Sequence, residues 1–359
     1  MRHNHISRAL SMLLCAVLLL GSLASCGPNL SGMKGDELRS YDALKTENYT
    51  ITGSMYAYFF LEIGAAYVSG ITEEELNERG FDENKTLKKQ KYDADRTWYE
   101  YINEYVLEEV TNLILLCEAA TNAGIALTND DYTYINDQLT EQRTLVVVRY
   151  QTDYNTYLGD RYFGYVNEDD MKQIYLMETL ASKYSAYLNA QVEERMTEER
   201  IESHLATMTF ENGRDESMTR NLGHILSSSS VFDEDQNYEN IKTAKSRFEK
   251  AGKTDEAWSA IWKEFSHDAN EIFSNVRQGE MIEQMDKWLF AEERAVGDLG
   301  IITTDNGCHL LYYISEGDPA YIADAKEELY EIISHEIMDE LRAEYKIKIK
   351  KNVINAVDV

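Results

Sequence analysis

Asn221-Leu222-Gly223-His224-Ile225-Leu226 and Thr304-Asp305-Asn306-Gly307-Cys308-His309-Leu310-Leu311-Tyr312-Tyr313 open and close the stretch whose reading decides the fold. Each is a short apolar run that carries one histidine, the pattern of a half-buried strand. Asp305-Asn306-Gly307 is a tight-turn signal, so residues 299–303 and 309–315 read as a hairpin and 222–226 as a further strand. Between them, Tyr238, Ile241, Lys245 and Phe248 mark one helix, and Trp258, Ile261, Trp262 and Phe265 a second. Residues 266–279 read as a polar loop and 281–290 as a Met- and Trp-containing segment. Helices laid on a small, mostly antiparallel sheet make an α+β unit, one that can bring two sequence-distant histidines together.

Outward from this stretch the chain reads as helical. Only two prolines, Pro28 and Pro319, occur in 359 residues, so long helices run without interruption. Thr97 with Glu100 is a capping box; Trp98, Ile102, Val106, Val110, Leu113, Cys117 and Ala120 form an apolar face behind it, and Gly124 supplies a stop. Ile51, Met55, Tyr58, Phe59, Ile63 and Tyr67 predict an earlier buried helix, and residues 70–95 a loop or irregular insert. Thr128 with Asp131, and Asn167, open two more helices, the second turning Met171, Ile174, Leu180 and Tyr184 inward. Tyrosine-rich faces of this kind pack a core or, where exposed, grip unfolded segments. Past Pro319, Ile322, Leu329, Ile333, Ile337, Leu341 and Tyr345 form the stripe of a long terminal helix that must find a partner, most simply the N-terminal helices. Residues 346–350 alternate like an edge strand.

The formal net charge of -29 repels nucleic acid and acidic lipid head groups, which makes a nucleic-acid-binding reading poor. It describes either a solvated exterior or a surface suited to basic or unfolded clients. Arg2 and Arg8 followed by the apolar run from Ala9 to Leu20 are a targeting signal, too short for a membrane span. The run ends in Leu23-Ala24-Ser25-Cys26, which resembles the bacterial lipobox; the resemblance implies a lipoprotein anchored through acyl chains at Cys26. An ordinary secretory signal with a cysteine near its cleavage site is the other reading. With Cys15 in the signal, Cys117 and Cys308 remain, without metal-ligand spacing.

His224-Ile225-Leu226, Phe265-Ser266-x-Asp268, Gly279-x-Met281, Gly297-Asp298 and Thr304-x-x-Gly307-x-His309 follow one another in an order that resembles the parvulin family of peptidyl-prolyl isomerases. Residues 87–90 with Tyr92-Asp93 and Thr97-Trp98, and the helix ending Ala119-Ala120-Thr121-Asn122-Ala123-Gly124-Ile125, resemble the helical chaperone part of SurA- and PrsA-type foldases. The resemblance implies a parvulin-like α+β domain (205–317) attached to an all-α chaperone domain built from both chain ends (49–204 and 318–359), behind a signal peptide (1–25) and a tether (26–48).

It further implies that His224 and His309 form a hydrogen-bonded pair beneath the substrate, with Thr304 fixing a ring tautomer and Asp268 near the substrate carbonyl. Met281, Met285 and Leu289 would line an apolar slot for the proline ring. Asp268 as a turn cap and the methionines as core packing are the structural alternatives. No metal or cofactor enters such a reaction. The expected partners are unfolded or partly folded secreted polypeptides, met at the outer face of a bacterial cytoplasmic membrane; a holdase with little or no isomerase activity and a single-ligand surface adaptor are the competing functions. The chain departs from the family pattern at Asn270-Glu271, where many parvulins carry Gly-Gly, at Met285, where an aromatic is common, and at Asn306 and Cys308.

Overall fold

The computed structural model describes residues 32–357 apart from 34 and 212, so the signal segment and Cys26 lie outside the described residues. The described chain divides into two compact units, residues 196–332 and a second formed by the residues through 195 with those from 333 onward. The divisions fall at 195/196 and 332/333, not at 204/205 and 317/318, because the short helix after Thr197 and the first turns of the terminal helix go with the sheet unit.

The unit made from both chain ends begins with α1 (Asp36–Arg39), β1 (Asp42–Lys45) and β2 (Thr50–Thr52). The part of this segment up to residue 48, expected to be a tether, is folded. Leu38, Ala43, Leu44 and Ile51 are fully buried, but the segments are too short for periodicity to announce them. Thr52 caps α2 (Gly53–Ser69), and α3 (Glu73–Glu78) sits in the segment expected to be irregular.

The expected capping box at Thr97 and Glu100 opens α4 (Trp98–Asn122), Thr128 and Asp131 form a second one at α5 (Asn129–Tyr150), and α6 (Tyr154–Arg161) follows. At the start of α7 (Glu168–Arg195), Asn167 Oδ1 accepts the Asp170 N–H while Asp170 accepts that of Asn167. Among element pairs of this unit, α4 with α7 makes the most extensive contact.

The sheet unit runs α8 (Glu198–Leu205), β3 (Met218–Ser228), α9 (Glu234–Lys250), α10 (Asp255–Phe265), β4 (Ile272–Val276), α11 (Glu283–Leu289), β5 (Leu299–Thr304) and β6 (Gly307–Pro319). Its four strands lie in the order β4-β3-β6-β5, every neighbour antiparallel. Strand β4 occupies what the sequence suggests is a polar loop: it is an edge strand with one buried residue, Val276, so its pattern is that of a loop.

One face of the sheet packs Ile225, Cys308 and Leu310 under Ile241, Ala244 and Phe248 of α9 and Trp258 and Ile261 of α10. The other packs Leu222, Leu311 and Tyr313 with Val276 and with Met285 and Leu289 of α11. Gly223 is required by the first packing, since a Cβ there would stand 2.7 Å from the Trp258 ring.

The terminal helix α12 (Ala320–Glu344) starts directly after Pro319 and ends in the other unit, where Ile333 and Ile337 are buried. There Arg342 bonds Asn112 of α4 and Glu340 pairs with Arg195 of α7. β7 (Lys348–Ile349) then joins the edge of β1, giving the order β2-β1-β7, and α13 (Lys351–Ile354) closes the chain. This unit is therefore not all-α; it carries a three-stranded sheet that ties the two chain ends. No helix among the described residues is long and apolar enough to cross a membrane.

Candidate functional site

His224 and His309 stand on the two central strands of the four-stranded sheet. The register pairs His224 with Leu311 and Leu226 with His309, so the histidines are diagonal neighbours. Side-chain alternation puts both on the face of Leu222, Leu311 and Tyr313. Each is only 3 % exposed. The rings lie 5.1 Å apart, 21° from parallel, and His224 Nε2 is 2.8 Å from His309 Nδ1. Phe273 of β4 covers His224 at 5.7 Å.

Two loops hold the outer ends of this pair. The β5–β6 hairpin brings Thr304 Oγ1 to 2.8 Å from His309 Nε2, and the Asn306 N–H donates to the same oxygen. Gly307 makes the hairpin possible, with φ 137 and a position against the Ser227 carbonyl that leaves no room for a Cβ. On the other side, the segment after α10 is pinned to β3. Ser266 Oγ accepts the N–H groups of Leu226 and Asp268, and the His267 N–H donates to the Leu226 carbonyl at 2.7 Å. Asp268 then uses Oδ1 to accept the Asn270 N–H at 3.0 Å and turns Oδ2 to 3.0 Å from His224 Nδ1. That last contact has the closeness of an ion pair without the in-line geometry of a hydrogen bond, so it acts as a charge beside a donor.

With each ring carrying a single proton, one assignment fits these contacts. The donor of His224 beside it holds the Asp268 carboxyl below its ordinary range, against the opposing effect of burial, so the group is a carboxylate at neutral pH. A carboxylate only accepts, so His224 carries its proton on Nδ1 and offers a lone pair at Nε2. His309 then donates from Nδ1, and its Nε2 accepts the Thr304 hydroxyl proton. Burial, reinforced by His224 and opposed by Asp268, pulls the His309 pKa down to about 4, which keeps this ring neutral at pH 7.

The four residues expected to act together, His224, His309, Thr304 and Asp268, thus form one connected chain. The three expected to line an apolar slot are placed differently. Met285 is 4 % exposed and Leu289 fully buried, because α11 is a short helix whose apolar face must be spent on the sheet; only Met281 is partly open, at the margin of that cluster. Leu289 has no surface to give a ligand, and Met285 almost none. Asn270 and Glu271 need no glycine freedom, since neither has positive φ; the Asn270 N–H completes the Asp268 turn and the Glu271 carbonyl accepts the His224 N–H. Sequence reasoning missed Phe273 and the anchoring role of Ser266, for which Phe265-Ser266-x-Asp268 was the available signal.

A cleft of about 660 Å3 adjoins the outer end of this chain, lined by Ser229, Glu234, Ile282, Thr304, Asp305 and Asn306 among others. Thr304 belongs to both the cleft wall and the histidine chain.

No protein-family model and no curated protein matches the chain. Among solved structures it is similar to PrsA of Bacillus subtilis, with 17% identity over 72% of this chain and 84% of that one and a TM-score of 0.31. It is likewise similar to the foldase protein PrsA of Streptococcus pneumoniae, at 18% identity over 72% and 91% of the two chains and a TM-score of 0.26. A structure described with the SurA-like chaperones of Campylobacter jejuni overlaps 87% of this chain and 99% of its own, at 10% identity and a TM-score of 0.25. Overlaps of this depth leave the site to be judged by its own geometry.

Proposed function

We propose that the sheet unit is a peptidyl-prolyl cis-trans isomerase of the parvulin type and that the whole chain is a foldase for secreted polypeptides, tethered by lipid at Cys26 to the outer face of a bacterial cytoplasmic membrane. The observation that carries the enzymatic part is the buried His224–His309 pair with Thr304 at one end and Asp268 at the other. The Leu23-Ala24-Ser25-Cys26 sequence supports the anchoring.

The chemistry such a site offers is non-covalent. Rotation about an X-Pro bond breaks amide conjugation and takes tens to hundreds of seconds unaided. A twisted amide has lost the charge separation that water stabilises in the planar one. A pre-set, water-poor surface therefore favours the twisted form over the planar form. Asp268 and Thr304 hold both rings in single tautomers, so no reorganisation accompanies the rotation.

The test is isomerisation of a proline tetrapeptide by the chain from Met33 on. His224→Ala or His309→Ala lowers kcat/KM about tenfold or more; full activity in the double variant refutes the site. A second reading, a holdase with a weak or silent isomerase unit, is favoured by the burial of Met285 and Leu289 and by exposed apolar side chains on the helices of the other unit, Tyr134, Val147 and Val148 of α5 among them. It predicts suppression of client aggregation whether or not the client contains proline.

A further inference from the structure

The charges around the cleft beside Thr304 are of one sign. Glu234, in the first turn of α9, and Asp305, in the β5–β6 turn, are its charged lining residues, and no lysine or arginine lines it. Each has a local reason to be there: an acid complements a helix N-terminus, and an aspartate suits a turn. Neither, however, is matched. Among the described residues neither enters an ion pair, a state they share with other carboxylates of the unit such as Glu249 and Glu256, but these two alone bring it to the cleft wall. Ile282, 44% exposed, adds an aliphatic side chain to the same lining. An acidic rim with an aliphatic lining residue suits a long side chain with an apolar stem and a cationic head.

We propose that this cleft makes the site selective for prolyl segments with a lysine or arginine next to the proline, and that Glu234 and Asp305 are the specificity-determining residues. The proposal rests on the isomerase reading for the place of the proline, over the histidine pair that Thr304 joins to the cleft wall. A glutamate or phosphorylated residue in the same position meets two unpaired carboxylates and is disfavoured.

The experiment uses the chain from Met33 on, which contains both units, and tetrapeptides with lysine, alanine or glutamate immediately before the proline, with a second series varied immediately after it. Binding is read from the amide resonances of Thr304 and Asn306, and turnover from exchange spectroscopy. In one of the two series, lysine peptides bind and turn over about three- to tenfold better than glutamate peptides, and the ratio falls as salt is raised. Glu234→Gln with Asp305→Asn brings the ratio close to one. Glu249→Gln with Glu256→Gln makes the same change in net charge and leaves it in place, because Glu249 lies roughly 22 Å along α9 from Glu234, beyond the screening length.

Equal handling of all peptides overturns the selectivity while leaving the isomerase reading intact. Loss of the ratio in the control variant overturns it too, since overall charge would then govern. Binding graded by charge without any turnover supports the cleft assignment and refutes the isomerase reading instead.

Discussion

Replacing His309 by asparagine changes how the sheet unit responds to acid. The asparagine amide retains a donor near the Nδ1 position but has nothing to protonate. In the wild type, burial first, then His224, holds His309 near 4 when folded, against 6.5 when free. Between those values the unfolded chain binds more protons than the folded one, so stability rises with pH across this window and falls as the solution is acidified through it. Full shielding of the ring would make that loss about 3 kcal/mol; allowing for solvent near the Thr304 side leaves about 2 kcal/mol.

Asp268 acts in a lower window. Its folded pKa is depressed, so its stabilisation is present above the ordinary carboxylate range and is lost only as pH falls through the folded value. Urea unfolding followed by fluorescence reports mainly on this unit, which holds Trp258, Trp262 and Trp288 against Trp98 in the other. The expected result is that wild type is the more stable at pH 7 and that its advantage over His309→Asn shrinks by about 2 kcal/mol on going to pH 4. An advantage that stays constant over that interval, or an NMR titration of the His309 ring with its midpoint near 6.5, refutes the reasoning.

Two further substitutions probe the frame that positions the site. Gly223→Ala drives a Cβ into the Trp258 ring, 2.7 Å away, and lowers the stability of the sheet unit by about 1–3 kcal/mol, read from its urea midpoint with the slope unchanged. Glu118→Ala strands the Thr46 hydroxyl, the Asn48 N–H and the Asn48 side chain, which all donate to the buried Glu118 carboxylate; the other unit loses about 1–3 kcal/mol, and hydrogen exchange across residues 42–52 speeds up.

What the sequence made legible follows from how much pattern each element carries. The capping boxes at Thr97 and Thr128 and the long stripes of α4 and α12 repeat over many turns, so one reading fits them. The β5–β6 hairpin is announced by its turn. By contrast β1, β2 and β4 are three to five residues long, and none contains enough alternation to distinguish a strand from a loop, whereas the alternation of residues 346–350 does announce β7 at the sheet edge. Residues 36–48 read as tether because their burial depends on α2, α4 and the distant chain end, a partnership that a local window does not contain.

The site divides along the same line. His224, Thr304 and His309 are placed by register, and register follows from a hairpin and an apolar pattern that are both visible in the chain. Asp268 is placed by a loop that Ser266 pins to β3. The proline slot is another matter, because whether a methionine lines a cavity or fills a core depends on what else competes for the same sheet face. Here Leu222, Val276, Leu311 and Tyr313 leave α11 one way to bury its apolar side, and Met285 and Leu289 go with it. Phe273, 5.7 Å from the His224 ring, and Met281 are among the side chains of this cluster that keep some exposed surface. On this geometry the chain of four polar groups is built for rigidity, and under the isomerase proposal the apolar contact with a proline falls to side chains at the margin of the cluster and not to its buried centre.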